Sequence, residues 1–125
     1  MAQPQYPAQS KLLVIGNDSR LIYLLRRYAE QGGCQVIFYD SVPADIEQLQ
    51  PTAVIFSSPE ELQAASAWVE ILSINEIPVL VCASVADELD ARELGADACL
   101  LHPLTYENFM KTLSGFCLPR INPAL

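Results

Sequence analysis

Residues 11–31, which read KLLVIGNDSRLIYLLRRYAEQ, decide the fold. The first five residues form an almost continuous apolar run, which is typical of a β-strand that is buried on both faces. Apolar residues then recur at helical spacing, which predicts an amphipathic helix: Leu21, Leu24, Leu25 and Tyr28. Asp18 or Ser19 can cap this helix, and Gly32-Gly33 ends it. The stretch is therefore a strand followed directly by a helix, the repeating unit of a parallel sheet.

The rest of the sequence repeats this pattern. Further strands are predicted at about 35–39, 53–56, 78–82 and 98–101. Helices are predicted at about 44–50, from Ser58 through Leu72, at about 86–94 and after Pro103, where Thr105 is the expected cap. The clearest start is Ser58-Pro59-Glu60-Glu61, which combines a cap hydroxyl, a proline at the first helical position and a glutamate three residues after the cap.

This alternation predicts an α/β fold, a doubly wound five-stranded parallel sheet with five helices. The predicted domain spans residues 11–117, with a flexible tail at 1–10 and a tail or linker stub at 118–125. In a doubly wound sheet the functional residues lie beyond the carboxyl ends of the strands. Those ends are Gly16-Asn17-Asp18, Ser57-Ser58, Ala83-Ser84 and His102-Pro103.

Composition excludes several classes of function. The chain has 125 residues, of which 51% are hydrophobic and 18% charged, so a single folded domain is expected and not a disordered chain. No apolar run approaches the roughly twenty residues that a membrane helix needs. The net charge of −8 repels phosphate backbones, so we expect no direct nucleic-acid partner. The first residues lack the features of a signal peptide, which makes a cytoplasmic location the expectation.

The cysteines and the single histidine do not form a recognisable site. The four cysteines, at 34, 82, 99 and 117, have no C-x-x-C spacing, and His102 cannot complete a zinc set with them. We predict reduced, buried thiols. The acidic Gly16–Arg20 loop has one glycine and does not suit a flavin phosphate. We therefore expect no metal and no cofactor.

Five segments resemble the receiver domain of response regulators. Four of them match the framework: residues 11–19, 24–30, 51–57 and 78–84. The most specific is Glu93-Leu-Gly-Ala-Asp-Ala-Cys-Leu-Leu-His-Pro103, which is similar to the family's path through the fifth strand. The resemblance covers about residues 11–117 and implies the flavodoxin-like (βα)5 topology with strand order 2-1-3-4-5. It also implies a cis peptide bond at His102-Pro103.

The resemblance implies a phosphoryl-transfer site that this sequence does not retain. In the family an Asp after the third strand is phosphorylated, with Mg²⁺ held by acids after the first strand. Those acid positions fall on Gly16 and Asn17, and the phosphoacceptor position falls on Ser57. The hydroxyl position after the fourth strand falls on Ala83, and the lysine position falls on His102. No shift of the alignment supplies an Asp after the third strand. We predict a degenerate pseudo-receiver that is not an enzyme.

Three functional hypotheses follow. The first is a signalling module that acts through protein partners, or through a homodimer, without aspartyl phosphorylation. Its possible interaction face, placed by the resemblance, consists of Asp90, Arg92, Glu93, Tyr106, Glu107 and Lys111. The second is a sensor of a small ligand, bound among Gly16, Asn17, Ser57 and His102, or of oxidation at Cys82 and Cys99. The third is a phosphorylated receiver that uses a displaced acid, Asp18 or Asp40.

Overall fold

A five-stranded parallel sheet forms the centre of the computed structural model, which describes residues 11–115. The predicted strand order is confirmed as β2-β1-β3-β4-β5. The strands are β1 (Lys11–Ile15), β2 (Gln35–Tyr39), β3 (Ala53–Phe56), β4 (Val79–Ala83) and β5 (Ala98–Leu101). The predicted tails at 1–10 and 118–125 lie outside the described residues, as do Phe116 and Cys117.

Six helices cover the sheet within residues 11–115, and the predicted number of five is wrong. They are α1 (Ser19–Gln31), α2 (Ile46–Leu49), α3 (Pro59–Ala64), α4 (Ser66–Ile74), α5 (Glu88–Glu93) and α6 (Tyr106–Ser114). A single 3₁₀ turn, Val85–Asp87, precedes α5 where the sequence predicted one helix over about 86–94.

The extra helix arises because the helix predicted from Ser58 through Leu72 divides at Ala65. This residue has φ −104° and ψ 23°, outside the helical region. Its N–H contacts the carbonyls of both Glu61 and Leu62, and its own carbonyl accepts from the N–H of Trp68, three residues on. The chain tightens to i→i+3 bonding at this residue, and Leu62 and Leu72 are buried on either side of it. The apolar stripe therefore continues across a break that its spacing does not reveal.

Side-chain caps begin three of the helices, as the sequence predicts. The Asp18 carboxylate accepts from the backbone N–H groups of Arg20 and Leu21, both at 3.1 Å. Ser58 Oγ accepts from the N–H of Glu61 at 3.2 Å. Thr105 Oγ1 caps α6 by accepting from the N–H of Asn108 at 3.1 Å. Each cap satisfies a backbone donor that has no partner within its helix.

The core has two layers, one on each face of the sheet. On one face α1 and α6 pack over Val14 and Ile55. On the other, the remaining helices pack over Ile15 and Phe56. Consecutive strand residues alternate between these layers, and β1, β3 and β4 are buried on both faces apart from Lys11. Consequently α1 and α5 lie on opposite faces. Within residues 11–115 no helix combines the length and apolar character needed to span a membrane.

Candidate functional site

Strand pairing gathers four of the five predicted site positions at the carboxyl edge of the sheet. Ile15 pairs with Phe56, so Gly16 and Ser57 follow side by side. The N–H of Ser57 donates to the carbonyl of Ile15 at 2.9 Å, and the N–H of His102 donates to the carbonyl of Ala83 at 3.0 Å. This register fixes which residue occupies each position of the edge.

Gly16 and Ser57 lie against each other and leave no open space at the β1–β3 half of this edge. The backbone of Gly16 has φ +136°, a conformation that side chains rarely adopt. A Cβ atom at Gly16 would lie 2.0 Å from Ser57 Oγ and 2.7 Å from Ser57 Cβ. The Ser57 side chain thus occupies the space that a side chain at position 16 would need, and Ser57 itself is only 7% exposed. Both the backbone conformation and the packing therefore disfavour any side chain, an acidic one included, at position 16 while Ser57 is present.

The carboxylate nearest in sequence to this edge is engaged in capping. Asn17 and Asp18 are both exposed, and the Asp18 carboxylate accepts two N–H groups at the start of α1. Within residues 11–115 no three His, Cys, Asp or Glu side chains are grouped so that they could hold a metal ion. A divalent cation requires several oxygen ligands, and Gly16 and Asn17 supply no carboxylate. The residues at this edge do not fit the Mg²⁺ that the receiver fold implies.

The hydroxyl and lysine positions are altered as well. Ala83 is the buried last residue of β4. The adjacent hydroxyl, Ser84 Oγ, accepts from the N–H of Asp87 at 3.3 Å and donates to Asp87 Oδ2 at 3.1 Å, so it caps the 3₁₀ turn. His102 is exposed, and its peptide bond to Pro103 is cis, as the resemblance implied. Ser84 Oγ thus caps the 3₁₀ turn, as Asp18 Oδ1 caps α1.

The β5 half of the same edge is open. A cleft of about 460 Å³ lies between the start of α1 and the loop that follows β5. Its lining residues are Asp18, Arg20, Leu21, Tyr23, Leu24, His102, Pro103 and Leu104. Of the four residues proposed to hold a small ligand, His102 alone lines this cleft, so Gly16, Asn17 and Ser57 do not share it.

Sequence reasoning missed three residues near this edge. Arg20 and Tyr23 line the cleft together with His102. The helical spacing that placed Leu21 and Leu25 in the core also places Arg20 and Tyr23 outside it, so the signal was present. The third is Glu61, whose Cγ lies 3.6 Å from the position of a Cβ at Gly16. Its capping-box position gave no indication of this, because the contact crosses between β1 and α3.

The cysteine thiols within residues 11–115 are buried, and this burial disfavours their oxidation. Cys34, Cys82 and Cys99 are free cysteines. Desolvation, with smaller effects of Asp18 and Cys99, raises the pKa of Cys82 to about 12. Burial also raises the pKa of Cys34 and of Cys99. Because the thiolate is the reactive form, these thiols are poor candidates for a redox sensor. Cys82 and Cys99 belong to opposite layers of the core, although their strands are neighbours.

The predicted interaction face is only partly free. Asp90, Glu93, Glu107 and Lys111 are exposed. Arg92 pairs with Glu88 at 3.4 Å and donates to the carbonyl of Asp97 at 3.2 Å. Tyr106 is half-buried, and its ring centroid lies 5.8 Å from that of Tyr28 on α1. The ring of Tyr106 therefore packs toward α1.

Solved structures, receiver domains among them, share this fold. The receiver domain of a sensor histidine kinase from Pseudomonas aeruginosa, with magnesium coordinated in its active-site cleft, is 10% identical with a TM-score of 0.69, covering 87% of this chain and 98% of that one. A response regulator receiver protein from Burkholderia phymatum is 21% identical with a TM-score of 0.67, over 87% and 98%. A pilus assembly-related protein from Burkholderia pseudomallei is 22% identical with a TM-score of 0.63, over 95% and 99%.

Sequence comparisons add no closer relative. No protein-family model matches the chain, and no curated protein matches it. Identities of 10% to 22% over nearly the full length of these structures establish the fold and nothing about activity. The chain therefore has the receiver fold of two-component response regulators.

Proposed function

We propose that this protein is a receiver-like signalling module that acts through protein contacts, without aspartyl phosphorylation and without catalysis of its own. The observation that carries the proposal is the closed Gly16–Ser57 contact. A serine that is 7% exposed stands at the phosphoacceptor position, and it fills the space beside a glycine that stands at an acid position.

The chemistry of phosphoryl transfer supports this proposal. A nucleophile attacks phosphorus when the negative charge on the phosphoryl oxygens is neutralised by metal ions or cationic side chains. Here the nucleophile position carries a hydroxyl, which needs a neighbouring base to become reactive. The acid positions carry Gly16 and Asn17, and the lysine position carries the exposed His102. Every component of the reaction is lost together, whereas the framework that positioned them is retained.

The alternative of a displaced acid receives little support. Asp18 is engaged in capping α1, and Asp40 follows β2, which is separated from β3 by β1. Glu61 lies closer to the edge than the sequence suggested, so it joins Asp18 and Asp40 as an acid to be tested. The small-ligand alternative stays a prediction, and the buried thiols weigh against its redox form.

The deciding experiment is a titration of the full chain with Mg²⁺ and beryllofluoride, a mimic of the phosphoryl group. Trp68 is a suitable fluorescent reporter because it lines a pocket together with Ile15 and Glu61. Amide NMR shifts at 16–18, 57 and 102 report on the edge itself. We expect no saturable, Mg²⁺-dependent change in either signal.

A second readout identifies any phosphorylated residue. The chain is incubated with acetyl phosphate and Mg²⁺ and then analysed by mass spectrometry, with Ser57→Ala, Asp18→Asn and Glu61→Gln as matched variants. We expect no added phosphoryl group in any of them. A phosphoryl group that disappears in Asp18→Asn or Glu61→Gln would instead identify a displaced acid, and a saturable beryllofluoride response would return the protein to the phosphorylated receivers.

A further inference from the structure

The outer face of α1 is positively charged in a strongly acidic protein. The chain has seven Lys and Arg residues against fifteen Asp and Glu. Three of the seven, Arg20, Arg26 and Arg27, lie on α1, which carries a single acidic residue, Glu30. Basic residues concentrated on one helix of an acidic chain create a local field that attracts an acidic partner.

This face also carries an exposed aromatic ring. Tyr23 is 58% exposed, and Arg27 Nη1 donates to Tyr23 Oη at 3.1 Å. Tyr23 separates two clefts, the one of about 460 Å³ that reaches His102 and another of about 250 Å³ bounded by Arg26, Arg27 and Glu30. Aromatic and arginine side chains beside a concave, mainly apolar surface are the groups that dominate protein–protein binding. We call this face, comprising Arg20, Tyr23, Leu24, Arg27 and His102, the α1 surface.

A complementary surface lies on the opposite face of the sheet. Val85 and Leu89 are each 67% exposed, at the 3₁₀ turn and in α5. Asp90 and Glu93, both exposed, lie on the same short helix as Leu89. We call these four residues the Val85–Leu89 corner. The cleft of about 460 Å³ is lined by Arg20 and also by Asp18, the cap of α1, and Arg27 lies beyond Tyr23. Two exposed aliphatic side chains flanked by carboxylates complement this mainly apolar cleft on its arginine side.

We propose that the α1 surface of one copy binds the Val85–Leu89 corner of a second copy. Leu89 would enter the cleft between Tyr23 and His102, and Asp90 and Glu93 would lie near Arg20 and Arg27. The two surfaces lie on opposite faces of the sheet, because α1 packs in one core layer and α5 in the other. One molecule therefore offers both surfaces at once, and the contact is heterologous: it repeats head to tail and gives chains or rings rather than a symmetric dimer.

This inference rests on the proposed function only in that it supplies a protein partner. The two proposals can be tested independently. The proposed function is tested by the response to Mg²⁺ and beryllofluoride, and the self-association is tested by the molecular mass. The first experiment measures the mass of the full chain by sedimentation equilibrium from micromolar to millimolar concentration, at low and at high sodium chloride. We expect concentration-dependent species larger than a dimer, which salt weakens.

Two variants each remove one surface. Arg20→Glu/Arg27→Glu reverses the charge of the α1 surface and leaves the corner intact, whereas Val85→Ser/Leu89→Ser removes the aliphatic anchors and leaves the α1 surface intact. Each variant alone should associate about tenfold or more weakly, since loss of an anchor costs more than about 1.4 kcal/mol. Mixed in equal amounts they should form a one-to-one dimer and nothing larger, because the mixture retains one working contact.

Matched controls lie outside both surfaces. Ile74→Ser removes another strongly exposed aliphatic side chain, 72% exposed on α4, and Lys111→Glu reverses an exposed charge on α6. Both should associate as the unchanged protein does, and circular dichroism checks that every variant is folded.

A monomer at all concentrations would overturn the proposal. The proposal would also be overturned by a symmetric dimer whose association neither double variant weakens. A mixture of the two double variants that stays monomeric would overturn it too. Dilution-dependent amide shifts of the unchanged protein at 20–27 and 85–93 provide a test that needs no variant.

Discussion

The two halves of the carboxyl edge differ although they belong to one sheet. On the β1–β3 half, Gly16 and Ser57 close the edge by direct packing. On the β5 half, His102 borders an open cleft that extends to α1. The difference shows that neighbouring strand ends can be packed in two ways. Where the two small residues Gly16 and Ser57 meet, the space is filled, and where the exposed His102 ends β5, the space stays accessible.

The largest expected effect is at the closed half. Gly16→Ala should lower the free energy of unfolding by about 2–4 kcal/mol, because φ +136° strains a side chain and the new Cβ overlaps Ser57. Urea denaturation measures this. Gly115→Ala is the control, since Gly115 has φ −80° and a new Cβ would meet nothing closer than 3.6 Å. Adding Ser57→Gly to Gly16→Ala should recover part of the loss, and strict additivity of the two changes would contradict the proposed contact.

A smaller effect on the free energy of unfolding is expected to differ between the adjacent serines Ser57 and Ser58. Ser58→Ala should cost about 1 kcal/mol, because it removes the hydroxyl that accepts from the N–H of Glu61. Ser57→Ala should cost less, since it keeps the Cβ that packs against Gly16. Chemical denaturation of both variants measures the difference. Equal losses would show that Ser57 has a polar role at the closed half beyond filling space.

The smallest effect is the response of the protein to alkaline pH, through a thiol on β4 that lies outside the closed half. Cys82, which pairs with Leu100 of β5, is 1% exposed, and burial, ahead of smaller effects of Asp18 and Cys99, raises its pKa from 9.0 to about 12. Because the unfolded thiol ionises first, the stabilisation is complete below about pH 9 and is lost between pH 9 and 12. The expected loss at pH 9.5 is under about 1 kcal/mol. Cys82→Ala should show a flatter dependence of the free energy of unfolding on pH than the unchanged protein. Identical slopes would mean that the thiol ionises in the folded state.

The strands and caps could be predicted because their signals are local. Apolar runs gave β1 through β5 within about one residue, and Asp18, Ser58 and Thr105 act as caps as their residue types indicate. The division at Ala65 could not be predicted, because amphipathic spacing continues through a residue with i→i+3 bonding. The spacing of apolar residues indicates which residues of a helix face the core. It does not reveal where the backbone of that helix is interrupted.

The sequence predicted which residues lie at the candidate site, but not which of them are in contact. Aligning strand ends placed Gly16, Ser57, Ala83 and His102 at one edge. The overlap of Ser57 with the space beside Gly16, and the approach of Glu61, depend on distances across three elements, β1, β3 and α3. The cleft between Tyr23 and His102 likewise joins residues far apart in sequence. Such contacts arise from tertiary packing, which single-sequence periodicity does not encode.

The contact between Gly16 and Ser57 also bears on any attempt to engineer this edge. A side chain at position 16 meets Ser57 Cβ, which lies 2.7 Å from the position of its own Cβ. An aspartate at position 57 keeps that Cβ and adds a longer side chain, so it makes no room at position 16. Rebuilding an acidic pair here therefore requires a change of backbone as well as of side chains, because φ +136° strains any side chain at position 16.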